Sequence, residues 1–243
     1  MQQLLTKLRQ YGVRKFIEYS LHEAKLLVVN RLLFGSYSQL KEDLVLDRLL
    51  KYKKKGFYVD VGAYDPYRFS NTMRFYRRGW RGINIEPNRE HWKRFEKYRP
   101  RDTNLNIGIG QNKNSLTFYL MNPSTLSTFS KAAMQEYVHS GYAVGSEHII
   151  HILPLKNVLK KYAPHPIDFL SLDVEGYEME VLKSNDWKRY RPRYLCIETA
   201  VENDAGSQTQ KRKRYIGSYL KKQGYTELSD NGLNTFYSDA IYE

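Results

Sequence analysis

Four carboxylates stand at the ends of four short apolar runs in this chain. Asp60 lies in Phe57–Val61, Glu86 closes Gly82–Ile85, Asp173 follows Ile167–Leu172, and Glu198 follows Tyr194–Ile197. Runs of this length, rich in β-branched and aromatic residues, predict buried strands. In an open α/β sheet, ligands lie outside the carboxyl ends of the strands, so four acids there would converge on one site. After the first run, Gly62-Ala63 makes a small-residue turn that leaves the backbone open to a ligand, with Tyr64 and Asp65 next. Glu86 follows Gly62 by 24 residues, near the roughly 20-residue offset at which an acid on the second strand takes ribose hydroxyls.

The turn also says what the ligand is not. Dinucleotide sites use a three-glycine pattern that brings backbone amides to a pyrophosphate. Here the second and third glycines are missing, and an acid, Asp65, stands where a pyrophosphate would be repelled. Asp60, and Asp65 beside it, suit a cationic or amino-bearing ligand. S-adenosylmethionine meets these conditions: a ribose for Glu86, no phosphate, an amino group and a sulfonium. The plain alternative is an ordinary α/β domain in which Gly62 only makes a turn. The coincidence of Asp60 and Glu86 at two strand ends favours the cofactor.

These residues need a scaffold, and the order of elements predicts one. Beyond the runs above, helices are expected over Phe69–Arg78, His91–Tyr98, Leu155–Tyr162 and Tyr177–Asn185, with a strand at Asn104–Ile109. Leu116–Met121 alternates like a strand, and Ile149–Leu153 reads as a short one. The polar, small-residue stretch from Pro123 to Ser146 reads as a long functional loop or lid. The tail predicts a helix at Tyr215–Gln223 and two closing strands, Thr226–Leu228 and Asn234–Tyr237. Strands alternating with helices argue for a doubly wound α/β fold, a parallel sheet with helices on both faces. Residues 1–50 read as an N-terminal helical extension to a domain at 51–243. Helical apolar spacing from Leu4 to Leu33 fits a cap, a face for a homo-oligomer or a peripheral membrane helix. Ser36 to Asp43 offers an N-cap for a helix over Leu40–Tyr52.

Composition sets outer bounds. The 243 residues, 41% hydrophobic, can bury one sizeable core, and the net charge is +13. Such charge favours polyanions: nucleic acid, an anionic membrane surface or a phosphorylated substrate. The basic runs, among them Arg89 to Arg101 and Lys211 to Arg214, also read simply as solvated helix faces. The lone Cys196 lies in an apolar run and cannot form an internal disulfide, as in a reducing cytosol. No secretory segment or bilayer-spanning run is visible, so the expected location is cytoplasmic, with room for peripheral contact at the inner membrane face. His148 and His151 lie three residues apart, but His151 falls in the predicted strand Ile149–Leu153, so the two would face opposite sides and do not read as a metal pair. His139, in the polar stretch, is a candidate base.

Taken together, these residues resemble the FkbM-type S-adenosylmethionine-dependent methyltransferases. The resemblance rests on Tyr37-Ser38-Gln39 with Glu42-Asp43, Val59-Asp60-Val61-Gly62-Ala63, Ser70-Asn71-Thr72, Ile83-Asn84-Ile85-Glu86-Pro87, Ser127-Thr128-Phe129 and Ile167 through Glu178, in order over residues 36 to 200. Ser171 departs from it, since the family more often has lysine there. The resemblance implies a Rossmann-like class I methyltransferase fold with a seven-stranded, mostly parallel sheet, and O-methylation of sugars or natural products. By position, Asp60, Gly62 and Ala63, with Tyr64, would lie beside the methionine part of the cofactor. Ser70 would cap the helix nearby, Glu86 and Pro87 would lie at the ribose, Ile107 and Gly108 at the adenine, and Gln39 would approach from the N-terminal segment. Asp173, Glu175 and Glu198 would surround the transferring methyl group and the acceptor. Asp173 and Glu198 resemble the carboxylates that hold Mg²⁺ in some sugar and catechol methyltransferases, which suits the oxygen preference of that ion.

The expected acceptor is a hydroxyl of a sugar, nucleotide sugar or glycan, and the basic surface suggests a phosphorylated or lipid-linked one. The alternative is an RNA or other nucleic-acid methyltransferase, which the charge favours. Amino-methylating nucleic-acid enzymes commonly carry an Asn/Asp-Pro-Pro-aromatic turn after the fourth strand, where this chain has Asp173-Val174-Glu175-Gly176. A non-catalytic binding module would not need all four acids. A nicotinamide dehydrogenase would need the missing glycines.

Overall fold

The computed structural model describes residues 28–200 and 207–242. Most of the expected N-terminal helix, residues 1–27, lies outside them. After a helical segment at residues 28–34, the first half of the chain runs α1 (Glu42–Leu49), β1 (Phe57–Val61), α2 (Met73–Arg77), β2 (Arg81–Ile85), α3 (Arg89–Tyr98), β3 (Thr103–Leu105), β4 (Gly108–Ile109) and β5 (Asn114–Asn122). The second half runs α4 (Lys131–His139), β6 (Ala143–Leu153), α5 (Leu155–Tyr162), β7 (Phe169–Leu172), α6 (Glu178–Lys183), β8 (Tyr194–Glu198), α7 (Ser207–Lys222), β9 (Tyr225–Asp230) and β10 (Asn234–Asp239).

Seven strands form the main sheet in the order β3-β2-β1-β7-β8-β10-β9. Only β10 is antiparallel to its neighbours β8 and β9, so the sheet is mostly parallel, as expected. Side chains alternate along the strands, and both faces are buried. Val59, Val61, Ile83, Ile85, Leu170, Leu172, Leu195 and Ile197 meet α5, α6 and α7 through Leu155, Val158, Val181, Leu182, Ile216 and Leu220. On the other face Tyr58, Phe169, Cys196 and Phe236 meet Leu46 and Leu50 at α1 and Phe75 and Trp80 around α2. Because every β1, β2, β7 and β8 residue is buried except the first of β1 and of β2, these strands read as nearly unbroken apolar runs. The single cysteine is free and buried in the aromatic face.

Four expectations change. The strand expected over Asn104–Ile109 is two strands: β3 pairs with β2 in the main sheet, while β4 joins a second sheet of order β4-β6-β5. The break falls at Asn106, whose amide donates to the carbonyls of Glu86 and Pro87 at 2.9 Å each, turning the chain away from the sheet. Residues 123–146 are not a long loop. They hold a 3₁₀ turn at Ser124–Leu126, then α4 capped by Ser130, whose hydroxyl accepts from the Ala133 amide at 3.1 Å, and the start of β6. The short strand expected at Ile149–Leu153 is the end of the 11-residue β6, paired antiparallel along β5. The expected helix over Leu40–Tyr52 is the shorter α1. Its N-cap, Lys41, makes no side-chain cap bond; the Ser38 hydroxyl instead accepts from the Asp43 amide at 3.0 Å.

Candidate active site

Strand order reverses between β1 and β7, where a doubly wound sheet opens a crevice at its carboxyl ends. A cavity of about 410 Å³ lies there. Gln39, Asp60, Gly62, Ala63, Tyr64, Glu86, Pro87, Ile107, Gly108, Asp173, Glu175 and Glu198 all line it, so the sheet brings together every residue but one that the family resemblance placed at the site. The exception is Ser70, which is buried behind the wall; its hydroxyl accepts from the Met73 amide at 3.1 Å at the start of α2.

Gly62 is needed for a different reason from the one its turn suggested. Its φ of +80° lies in the left-handed region, and a Cβ there would stand 1.7 Å from the Asp173 carbonyl oxygen. The bare backbone lets the β7 loop close on β1, where the Asp173 amide donates to the Val61 carbonyl at 3.0 Å. Gly62 therefore sets the distance between two acidic strand ends.

Asp60 and Glu86 are held by neutral donors. The Thr72 hydroxyl donates to Asp60 at 2.8 Å and accepts from Arg99 at 3.1 Å. Arg99 is itself fully buried, paired at 2.9 Å to a fully buried Asp102 and bonded to the Tyr58 hydroxyl at 2.6 Å. Glu86 accepts from the Tyr64 amide at 2.8 Å through one oxygen and from the Asn88 amide at 2.7 Å through the other. Each oxygen keeps a lone pair for a vicinal diol. Burial pushes Asp60 up to about 6 and Glu86 up to about 8. Such carboxylates gain from an incoming cation or hydroxyl donor.

The other end of the cavity crowds its acids. Asp173, Glu175 and Glu198 have carboxylate oxygens within 4.8 Å of one another. Burial and then the charge of Glu178 push Asp173 up to about 7. Glu198 is raised by burial and then by Asp173. One guanidinium answers this cluster. Arg212, from α7, meets Glu178 at 2.5 Å, Glu198 at 3.2 Å and the Ala200 carbonyl at 2.6 Å. The loop carrying Asp173 is fixed from the second sheet and α4. The Thr128 hydroxyl donates to the Glu175 carbonyl at 2.7 Å, and the Tyr137 hydroxyl donates to the Glu175 carboxylate.

Several readings of the sequence fail here. Asp65 is buried, but it caps the Tyr67 and Arg68 amides and pairs with Arg94, and it does not line the cavity. His139 is exposed at the end of α4, away from the cavity lining. Arg99, Arg94 and Arg212 come from runs read as solvated faces, yet each serves an internal carboxylate. Sequence reading also missed Glu42, Asn71, His91 and Tyr177 in the lining. Asn71 donates to the hydroxyl of Ser171 at 3.0 Å, at the position where lysine was expected. Glu42 and Asn71 lay within quoted motifs, which was their only signal. His91 had none; burial lowers it to about 4, and it sits edge-on to Tyr64.

A match to the methyltransferase FkbM domain spans residues 60–227, well over half of the chain. The chain belongs to the FkbM methyltransferase family. It is therefore a methyltransferase, of an S-adenosylmethionine-dependent family, and its sheet is the class I methyltransferase sheet. Among solved structures, the FkbM-family chain is similar to the METTL16 MTase domain at 12% identity and a TM-score of 0.48, over 94% of this chain and 84% of that one. It is also similar to a putative O-methyltransferase from Klebsiella pneumoniae at 10% identity and 0.42, over 82% and 79%. A third is the O-methyltransferase from Bacillus cereus in complex with SAH, at 12% and 0.39, over 81% and 78%. No curated protein matches the chain.

The cavity's donor set fits the family's cofactor. Glu86 offers two oriented oxygens for ribose, Ile85, Ile107 and Ile109 offer an apolar wall for adenine, and Asp60 and Asp173 offer negative charge for ammonium and sulfonium. Mg²⁺ fits less well. The carboxylate spacing admits a hard cation, but Arg212 already places a positive charge against one Glu198 oxygen.

Proposed function

We propose that this methyltransferase acts on a hydroxyl of a sugar, nucleotide sugar or glycan. The observation that carries the reading is the crowded carboxylate cluster beside the cofactor end of the cavity. A hydroxyl acceptor must lose a proton, which calls for a base at the reacting oxygen. An acid raised toward neutrality by burial and like charge is suited to take it.

When bound, S-adenosylmethionine supplies an electrophilic methyl group on a sulfonium. Asp60, with Gly62, Ala63 and Tyr64, faces the methionine part, Glu86 and Pro87 the ribose, and Ile107 and Gly108 the adenine. Gln39 closes over the site from the N-terminal side. Asp173 accepts the proton of the acceptor hydroxyl, and Glu175 and Glu198 orient the remaining hydroxyls, a task that carboxylates perform for polyols. Phe118, Phe129 and Tyr177 continue the wall, with ring centroids 4.8 and 5.8 Å apart in sequence. Holding both reactants in line accounts for much of the rate. Arg212 supplies positive charge at Glu198, and the reaction as proposed uses no metal.

The test is calorimetric titration of S-adenosylmethionine and S-adenosylhomocysteine, followed by labelled methyl transfer to sugars, nucleotide sugars and RNA, with and without EDTA. Cofactor binding, transfer to a sugar hydroxyl and indifference to EDTA are the expected results. Transfer to RNA in preference to every sugar would replace this reading with the nucleic-acid one that the +13 charge favours. Loss of transfer in EDTA, restored by Mg²⁺, would return Asp173 and Glu198 to metal ligation.

A further inference from the structure

Helical residues 28–34 turn their apolar side outward. Leu32 and Leu33 are 77% and 72% exposed, with Val28 at 54%, Phe34 at 47% and nearby Leu40 at 40%. The side facing the protein is polar: Asn30 is buried, and its amide donates to the carbonyls of Ser38 at 3.2 Å and Gln39 at 2.8 Å. A surface helix of a globular protein ordinarily shows the reverse arrangement.

Cations surround this apolar ridge. Arg31 lies 3.6 Å over the Tyr37 ring and Lys41 lies 3.7 Å over the Phe34 ring. From residue 28 to 41 the sequence has these two cations and no acid. The 27 residues before them add Lys7, Arg9, Arg14, Lys15 and Lys25 against Glu18 and Glu23. Exposed aliphatic and aromatic side chains with a basic rim are the chemistry of an interfacial lipid contact. The apolar groups enter the acyl boundary, while the cations stay at anionic headgroups. A second copy of this chain would set one basic rim against another, so charge complementarity selects the lipid. Among the described residues no helix is long and apolar enough to cross a membrane, so the contact is interfacial.

We propose that residues 28–34 and Leu40 dock this protein on an anionic lipid surface. The surface adjoins the active site, since Gln39 and Glu42, immediately beyond the ridge, line the cavity. The proposal stands apart from the identity of the acceptor, because it concerns where the protein sits and not what it methylates.

The full chain is to be sedimented with vesicles of phosphatidylcholine alone and of phosphatidylcholine with phosphatidylglycerol at about three to one. The comparison is with Leu32→Glu/Leu33→Glu and with Leu32→Ser/Leu33→Ser, the second keeping the test readable if the acidic pair disturbs folding. S-adenosylmethionine binding serves as the fold control, since neither leucine lines the cavity. The expected result is binding to the anionic vesicles, weakened at least about tenfold in the double variants with cofactor binding unchanged. Equal binding by variant and wild type would reduce the effect to bulk charge and overturn the proposal. So would no binding to either vesicle, or a solution dimer that the double substitution splits.

Discussion

The two ends of the cavity treat their carboxylates in opposite ways. Asp60 and Glu86 are held by a hydroxyl and two backbone amides, and among the described residues no cation pairs with them. Asp173, Glu175 and Glu198 crowd one another, and the cation at the cluster is Arg212. Neutral donors orient a carboxylate without cancelling its charge, which suits a holding site for a cationic cofactor. Like charges pressed together make one proton exchangeable near neutral pH, which suits a reacting site. The same residue type thus does two jobs, and the surroundings decide which.

Breaking the boundary between the two ends should have the largest effect. In Gly62→Ala the new methyl would collide with the Asp173 carbonyl and would need a positive φ. Strain and overpacking together should cost about 3 kcal/mol or more. Denaturant unfolding should show that loss, with S-adenosylmethionine binding lost as well. Full stability in this variant would mean that the two strand ends are not held in contact.

Asp173→Asn tests the reacting end alone. It keeps the shape and removes the base, so kcat should fall about 10²- to 10⁴-fold. Cofactor affinity should change much less. Glu86→Ala tests the other end and should show the converse. It strips two backbone amides of their acceptor and removes the ribose contact, which should weaken S-adenosylmethionine by about 10- to 100-fold. If both variants lost affinity and turnover in the same proportion, the division of labour would be wrong.

Arg212→Gln should act less strongly, because the carboxylates that it leaves behind can take up protons. Turnover should fall about tenfold and its pH optimum should move upward, since without the guanidinium the acids ionise later. Arg212→Lys, which keeps the charge but not the fork, should restore the pH profile more fully than the rate. An unchanged profile in Arg212→Gln would show that the cluster does not depend on this cation.

The same contrast explains what was legible beforehand. β1, β2, β7 and β8 are buried on both faces, so their sequences are apolar runs, and the acids that close them mark the crevice. The second sheet offered no such signal. β6 begins Ala-Val-Gly-Ser-Glu-His and stays largely exposed; its extended form comes from pairing with β5, a non-local contact. Asn106 splits the expected third strand through bonds to Glu86 and Pro87, which no local pattern announces. The basic runs misled because a guanidinium is as readily an internal partner for Asp102 or Glu198 as a solvated charge. Asp65 lay in the right stretch of sequence, but its carboxylate turns to its own loop and to Arg94.

The last predicted effect follows from the raised acids themselves, and its sign is fixed. Unfolded, Asp173 and Glu86 ionise near their ordinary values of 3.8 and 4.5; folded, they hold protons up to about 7 and about 8. Between those limits the folded state binds more protons, so stability is greatest at the acid end and falls as pH rises. Burial lowers His91 to about 4, so it opposes this trend only below its usual 6.5. Above about 6.5 the carboxylates act without that opposition. From there to about pH 8 the cofactor-free protein should lose about 2 kcal/mol and about 6 °C in Tm. A bound cation reverses the preference: it favours the ionised acids, so S-adenosylmethionine should expel protons as it binds. Its affinity should therefore rise over the same range, and the Tm increment that it provides should grow with pH. S-adenosylhomocysteine lacks the sulfonium charge and should show a shallower slope. Titration in two buffers of different ionisation enthalpy would read the proton release directly. Equal proton release for the two ligands would place the acids too far from the sulfonium to act on it.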